Sequence, residues 1–151
     1  MEQIQVVAFK LGNEEYAIDV MAVQEIIRPT AITRVPRTKD FYSGVINLRG
    51  NVVPIVNLAK RFNLEEVELT EKSRIIILNV NDIRVGITVE SVTEVININK
   101  DDIETPNLTN VIDEKFIAGV AKYQERLLIL LNIEEVLELT EVAQDTEEIK
   151  G

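Results

Sequence analysis

Residues Gly44 to Leu58 read G-V-I-N-L-R-G-N-V-V-P-I-V-N-L, and Gly119 to Ile133 read G-V-A-K-Y-Q-E-R-L-L-I-L-L-N-I. At an offset of 75 both open on Gly-Val, break at a polar bend and run through an apolar stretch into Asn57-Leu58 or Asn132-Ile133. A second pair of windows, Val6–Ile26 and Ile75–Val95, aligns without a gap at an offset of 69. Each runs apolar strand, turn, alternating strand, and then V-x-x-V-x-E and an apolar residue. Val20, Val23, Glu25 and Ile26 thereby fall opposite Val89, Val92, Glu94 and Val95. Two windows in the same order with similar spacing indicate an internal duplication.

Each copy reads as hairpin, strand, a longer connection and another hairpin. Period-2 alternation and β-branched residues dominate, so the chain is expected to be mostly β. Short strands at this spacing suggest small barrels, two of them packed together. The domain is expected to span 1–140, with halves of about 1–62 and 74–140, the polar segment Asn63–Ser73 between them and a frayed tail over 141–151. Helices are few. Asn57 is placed to cap a short one ending near Lys60 and Arg61. Asn132 is placed to cap another over Ile133–Leu139, with Glu135 closing a capping box and Val136, Leu137 and Leu139 facing the core. Thr38–Ser43 suits one helical turn. The apolar spacing of Val20–Ile27 fits a helix, but its valines and isoleucines favour a strand after a tight turn.

The duplication supplies an internal control. Arg49, Gly50, Asn51 and Pro54 face Gln124, Glu125, Arg126 and Ile129, so the fold does not require Arg-Gly-Asn at the bend. Gly50 and Asn51 both tolerate positive φ and suit a tight hairpin turn, which puts Arg49 at the hairpin's end. Two readings of Arg49 stand: a solvated turn charge, or a partly buried pair with a carboxylate of an adjacent strand. Glu25 is the best partner, because it lies between Val23 and Ile26, where a solvated charge is not expected.

Composition removes whole classes of function. The 151 residues carry a formal net charge of −10, with no His and no Cys. Phosphate backbones and anionic membranes favour basic surfaces, so neither nucleic acid nor a lipid surface is expected as partner. Tetrahedral zinc sites, thiolate chemistry and a histidine base are absent. The glycines form neither G-x-G-x-x-G nor a P-loop, and no serine sits in G-x-S-x-G. Asn97–Leu108 opens like a calcium loop but has Asp102 and Leu108 where glycine and glutamate belong. Glu65-Glu66 and Glu134-Glu135 read as solvated acidic faces. No catalytic residue, metal or cofactor is expected. The start lacks a signal sequence, and the apolar run Leu127–Leu131 is far short of a membrane span. A cytoplasmic protein is the expectation.

G-V-I-N-L-R-G-N-V-V-P-I-V-N-L, with E-E-Y-A-I-D-V-M-A-V-Q-E-I upstream and L-L-I-L-L-N-I-E-E-V-L downstream, resembles the CheW family of bacterial chemotaxis coupling proteins. The resemblance covers roughly residues 4–139. It implies two SH3-like five-stranded β-barrels around a shared apolar centre. It also implies a non-enzymatic adaptor that bridges the cytoplasmic tips of methyl-accepting chemoreceptors to the regulatory domain of the histidine kinase CheA, recruited to membrane-associated receptor arrays. The chain is too short for a kinase or receiver domain as well and opens on Met, so the stand-alone member is expected. By resemblance, Val23, Glu25, Arg49 and Gly86 fall on positions linked to coupling and receptor contact. Val20, Ile26, Val92 and Val95 are added as neighbours.

A receptor tip is a helical hairpin, and a groove that accepts a helix buries apolar anchors at i, i+3 or i+4 and i+7. The cleft between two barrels is such a groove, with Val20, Val23, Val92 and Val95 as candidate lining; the same valines also suit barrel core. Two similar, non-identical halves can meet a homologous two-barrel domain of CheA head to tail, which closes rings. The alternative is an SH3-like peptide-binding module outside chemotaxis, whose groove needs clustered aromatics; here four Phe and three Tyr are scattered and Trp is absent. An enzyme built on Asp or Glu ranks third.

Overall fold

The runs Val6–Phe9, Ile75–Leu78 and Leu128–Leu131 are apolar at every position. A strand with one wet face alternates; a strand without alternation must be dry on both faces. The computed structural model, which describes residues 2–35, 40–65, 68–104 and 112–137, shows what lies on each side. Its strands are β1 (Gln3–Leu11), β2 (Glu14–Asp19), β3 (Val23–Ile27), β4 (Tyr42–Leu48), β5 (Asn51–Asn57), β6 (Arg74–Val80), β7 (Ile83–Val89), β8 (Ser91–Asn99), β9 (Ile103–Glu104), β10 (Ile117–Tyr123) and β11 (Arg126–Leu131). Two short helices, α1 (Leu58–Arg61) and α2 (Ile133–Leu137), follow β5 and β11.

The strands form a six-stranded sheet, β8-β1-β2-β11-β10-β9, and a five-stranded sheet, β3-β6-β7-β5-β4. The six-stranded sheet closes on itself, because its two edges are one path: β8 passes through a 3₁₀ turn at Lys100–Asp102 into β9. It is a five-stranded barrel whose closing strand is bent. The other barrel closes likewise: beyond β3, Thr33 exchanges two backbone hydrogen bonds of 2.8 Å with Val45 on β4. The duplicated glycines sit under these crossings. A Cβ on Gly44 would lie 2.2 Å from the Thr33 carbonyl oxygen, and one on Gly119 would lie 2.5 Å from Ile103.

Side chains alternate between two cores. On β6, Ile75 and Ile77 fill the five-stranded barrel, while Ile76 and Leu78 enter a central layer. On β11, Leu128 and Leu130 fill the six-stranded barrel, while Ile129 and Leu131 enter the same layer. On β2, Ala17 points inward and Tyr16 and Ile18 point to the centre. Through that layer runs a line of rings, Phe9–Tyr16–Phe62–Phe116, with centroids 5.9, 5.6 and 5.3 Å apart. Burial, together with the charge of Glu14, pushes the Tyr16 hydroxyl up to about 12.

The barrels do not coincide with the halves of the sequence. The hairpin β1–β2 completes the C-terminal barrel through parallel pairing with β11, and β6–β7 completes the N-terminal barrel through parallel pairing with β5. The halves have exchanged their first hairpins. The reason is the central layer: each exchanged hairpin needs a second dry face, and crossing between barrels supplies it.

Local expectations hold at several points. Val20–Ala22 is a 3₁₀ turn and β3 a strand, and Asn57 Oδ1 accepts from Lys60 N at 3.1 Å to start α1. Asn132 precedes α2, but its bond from Val136 N is the ordinary backbone bond of the helix, and no side-chain bond of Asn132 or Glu135 forms the expected capping box among the described residues. In α2, Val136 and Leu137 are buried. Leu139, the tail over 141–151 and part of the expected turn at Thr38–Ser43 lie outside the described residues; Tyr42 and Ser43 belong to β4. The hairpin turn is corrected by one residue. Its central pair is Arg49-Gly50, at φ 51° and 87°, and Asn51 already opens β5 opposite Leu48. Asn47 Oδ1 accepts from Gly50 N at 2.9 Å and holds that register.

Because every barrel contains strands from both halves, a chain cut within 63–73 should give two fragments that are unfolded alone and regain β-sheet circular dichroism on mixing at equal ratio. A fragment that folds cooperatively by itself would contradict the exchange.

Candidate functional site

The pairing of β3 with β6 slips between Val23 and Glu25, leaving Gln24 as an extra residue. The pairing of β8 with β1 slips at the equivalent place, leaving Thr93. A bulge re-aims the side chains beside it, and Glu25 and Glu94 follow their bulges directly. Both carboxylates meet an arginine of the opposite hairpin.

In the five-stranded barrel Arg49 Nη2 donates to Glu25 Oε1 at 2.5 Å. The Arg49 side chain is 65% exposed and that of Glu25 27%. The pair is therefore a surface pair with its carboxylate partly sheltered, and it contributes about 0–1 kcal/mol to stability. Arg49 makes it from a left-handed backbone, where a residue with a Cβ carries a strain of about 1–3 kcal/mol. Gln124 holds the equivalent turn position at φ 49°, so this backbone belongs to the hairpin in both copies.

In the six-stranded barrel the arginine stands two residues later. Arg126 grips Glu15 with a fork, Nε to Oε1 at 3.0 Å and Nη2 to Oε2 at 2.6 Å, and reaches Glu94 Oε2 at 3.4 Å. Thr93 donates to Glu15 Oε2 at 2.8 Å. The Glu15 side chain is 11% exposed. Burial opposes its ionisation, but the hydrogen bonds from Arg126 and Thr93 and the charges of Arg126 and Lys10 prevail, and its carboxyl titrates below the usual range. Sequence reasoning missed this cluster. The available signals were a charge inside the strand E-E-Y-A-I-D and an arginine beside a duplicated bend.

Of the expected site residues, the direct contact is Glu25 with Arg49. Val20 lies half-buried in the turn that carries the chain from one barrel to the other, and Val23 and Val92 are half-buried against the central layer. Ile26 and Val95, equivalents in the duplication, are 39% and 52% exposed. Gly86 presents no surface of its own. It is buried on β7, where a Cβ would meet Ile55 Cδ1 at 2.6 Å and Ile75 Cγ2 at 3.0 Å. Its equivalent is Ala17, which pairs with Leu130 as Gly86 pairs with Ile55. Both barrels need a small residue at that interior point. Of the aromatics scattered in sequence, Phe9, Tyr16, Phe62 and Phe116 are buried in the centre and offer no proline-binding groove. Among the described residues no group of acidic side chains is arranged to hold a metal ion, and no helix is long and apolar enough to cross a membrane.

Known proteins share this architecture and sequence. The model of the CheW-like domain matches residues 5–141. The chain belongs to the CheW family. It is 39% identical over 136 residues to the chemotaxis protein CheW of Klebsiella aerogenes, covering 89% of this chain and 82% of that one. It is 37% identical over 135 residues to CheW of Bacillus subtilis, covering 89% and 86%. The crystal structure of the scaffolding protein TtCheW from Thermoanaerobacter tengcongensis superposes with a TM-score of 0.83 at 34% identity, covering 90% and 88%. The family is one of chemotaxis scaffolds without enzymatic activity.

Two measurements test this geometry. Because the Glu15 carboxyl is held below its unfolded value, its contribution to stability is complete at neutral pH and is lost as pH falls through the folded value. Urea melts between pH 6 and 3 should therefore show a steeper acid loss for the native chain than for Glu15→Gln, and equal slopes would refute the assignment. Gly86→Ala should cost about 1–3 kcal/mol through overpacking. Adding Ile55→Val, which removes the nearest methyl, should recover part of that loss.

Proposed function

We propose that this chain links the cytoplasmic tips of chemoreceptors to the regulatory domain of the histidine kinase CheA, as a non-catalytic coupler in the cytoplasm. Membership of the CheW family over nearly the whole chain carries the proposal. The Glu25–Arg49 pair supports it physically. A strained arginine on a hairpin tip, holding a carboxylate beside the exposed Ile26, gives the fold little and offers a partner a charged, oriented and partly apolar surface. Val20, Val23, Glu25, Ile26 and Arg49 form the receptor-facing part of this reading, with Val92 and Val95 as their counterparts in the other barrel. Val23 and Val92 are anchored on the central layer, so a helix seated against them would be read by a rigid floor.

Arg49→Ala and Glu25→Ala should each lower receptor-dependent stimulation of the kinase at least about tenfold in a reconstituted mixture, while stability changes by no more than about 1 kcal/mol. Val23→Met should weaken capture of a receptor fragment more than capture of the kinase. Melting curves come first, since a half-buried valine is also a packing residue. A folded Arg49→Ala variant that couples at full strength would sink the proposal, as would a pull-down from cytoplasm that recovers neither a receptor nor a kinase.

A further inference from the structure

Met21 is the most exposed large apolar side chain among the described residues, with 87% of its surface in solvent. The sequence holds two methionines, Met1 and Met21, and no Cys, Trp or His. Met21 is therefore the one thioether of the described surface and its most readily oxidised side chain.

The backbone beneath it is fixed. Met21 is the middle residue of the 3₁₀ turn Val20–Ala22, and its N–H donates to Asp19 Oδ1 at 2.9 Å. Ala22 and Val23 pack against the central layer. The side chain itself is not required by the fold. At an offset of 69 its counterpart is Glu90, whose carboxylate accepts from Gly12 N at 3.1 Å. A position that takes a charge in one copy has no architectural need of an apolar residue in the other. Met21 also stands between Val20 and Val23, two residues of the face assigned above to the receptor. A long, unbranched thioether adapts to many apolar partner surfaces. Its sulfoxide is polar, and burying that oxygen without a hydrogen bond is costly.

We propose that Met21 is a reversible oxidation site, at which a peroxide converts the thioether to the sulfoxide and loosens this chain from the receptor tip. The inference rests on the coupling reading for its partner. In the chemical step a sulfur lone pair attacks one peroxide oxygen. A sulfur–oxygen bond forms as the oxygen–oxygen bond breaks. The hydroxide released takes the proton of the transferred hydroxyl and leaves as water, so sulfur has given two electrons to the peroxide. Methionine sulfoxide reductases reverse the change with a thiol reductant: two thiols join as a disulfide and the oxygen leaves as water. Oxidation leaves the fold intact, because the side chain lies in solvent and its turn is held by Asp19 and the central layer.

Hydrogen peroxide is the probe, and the full chain is titrated with a soluble fragment of a chemoreceptor's cytoplasmic hairpin. Peptide mass spectrometry should find one added oxygen on Met21. The oxidised chain should bind the fragment at least about tenfold more weakly, the cost of seating a polar oxygen in an apolar contact. Treatment with reductases for both sulfoxide stereoisomers should restore the affinity. Met21→Leu, which keeps Met1, should have the same affinity before and after peroxide, and Met21→Gln should be weakened without any oxidant. Thermal melts of native and oxidised chain should coincide. The inference alone is overturned if the native chain binds the fragment and the oxidised chain binds it equally well. It is also overturned if Met21→Leu loses affinity on oxidation, or if oxidation lowers the melting temperature. A native, unoxidised chain that does not bind the fragment overturns the coupling reading, and this inference with it.

Discussion

Strands β1, β2, β5, β6, β7 and β11 each serve two cores at once. Successive side chains of a strand point to opposite faces, and here both faces are dry: one lines a barrel and the other enters the central layer. Neither barrel can be removed without exposing that layer, and the layer cannot form unless both barrels present their hairpins to it. The exchange of β1–β2 and β6–β7 follows from this, as do the apolar runs of Val, Ile and Leu. Along their buried stretches a polar residue has nowhere wet to go, and the charges of these strands, Lys10, Glu14, Glu15, Asp19, Arg74, Arg84 and Arg126, stand near the strand ends.

On that frame α1 and α2 form a clasp. Arg61 of α1 lies over the rings of Phe41 and Phe116, 4.5 and 4.6 Å from their centroids. Its Nε donates to the Val136 carbonyl at 2.7 Å, and its Nη2 to that of Glu135 at 3.2 Å. The guanidinium thus satisfies backbone acceptors of the C-terminal helix while its face is held by aromatic rings, one from each half. The helices that follow Asn57 and Asn132 meet here, although they stand far apart in the sequence.

The two arginine–glutamate clusters show what duplication conserves and what it frees. Bulge, carboxylate and hairpin arginine recur in both barrels, so the device itself is architectural. The settings have diverged. Arg126 is locked by a fork onto a nearly buried Glu15, a geometry that fixes the hairpin. Arg49 makes one bond from a strained backbone and remains largely in solvent. The first is a structural joint; the second is a surface feature whose position is controlled and whose energy contributes little to the fold. The internal control drawn from sequence alone judged Arg49 unmatched, because Arg126 lies two residues along and a gapless alignment does not pair them.

The sequence by itself determined the strands, the duplication, the Asn57 cap and the absence of catalytic equipment, because these depend on local periodicity, local hydrogen bonding and composition. The Glu25–Arg49 pairing was legible too, since a carboxylate amid valines and an arginine at a bend each required a partner. Tertiary structure alone decided which hairpin completes which barrel, since both exchanged and unexchanged pairings present identical alternation along the chain. It alone placed Gly86 inside a barrel, where the volume of Ile55 and Ile75 across the fold sets the limit.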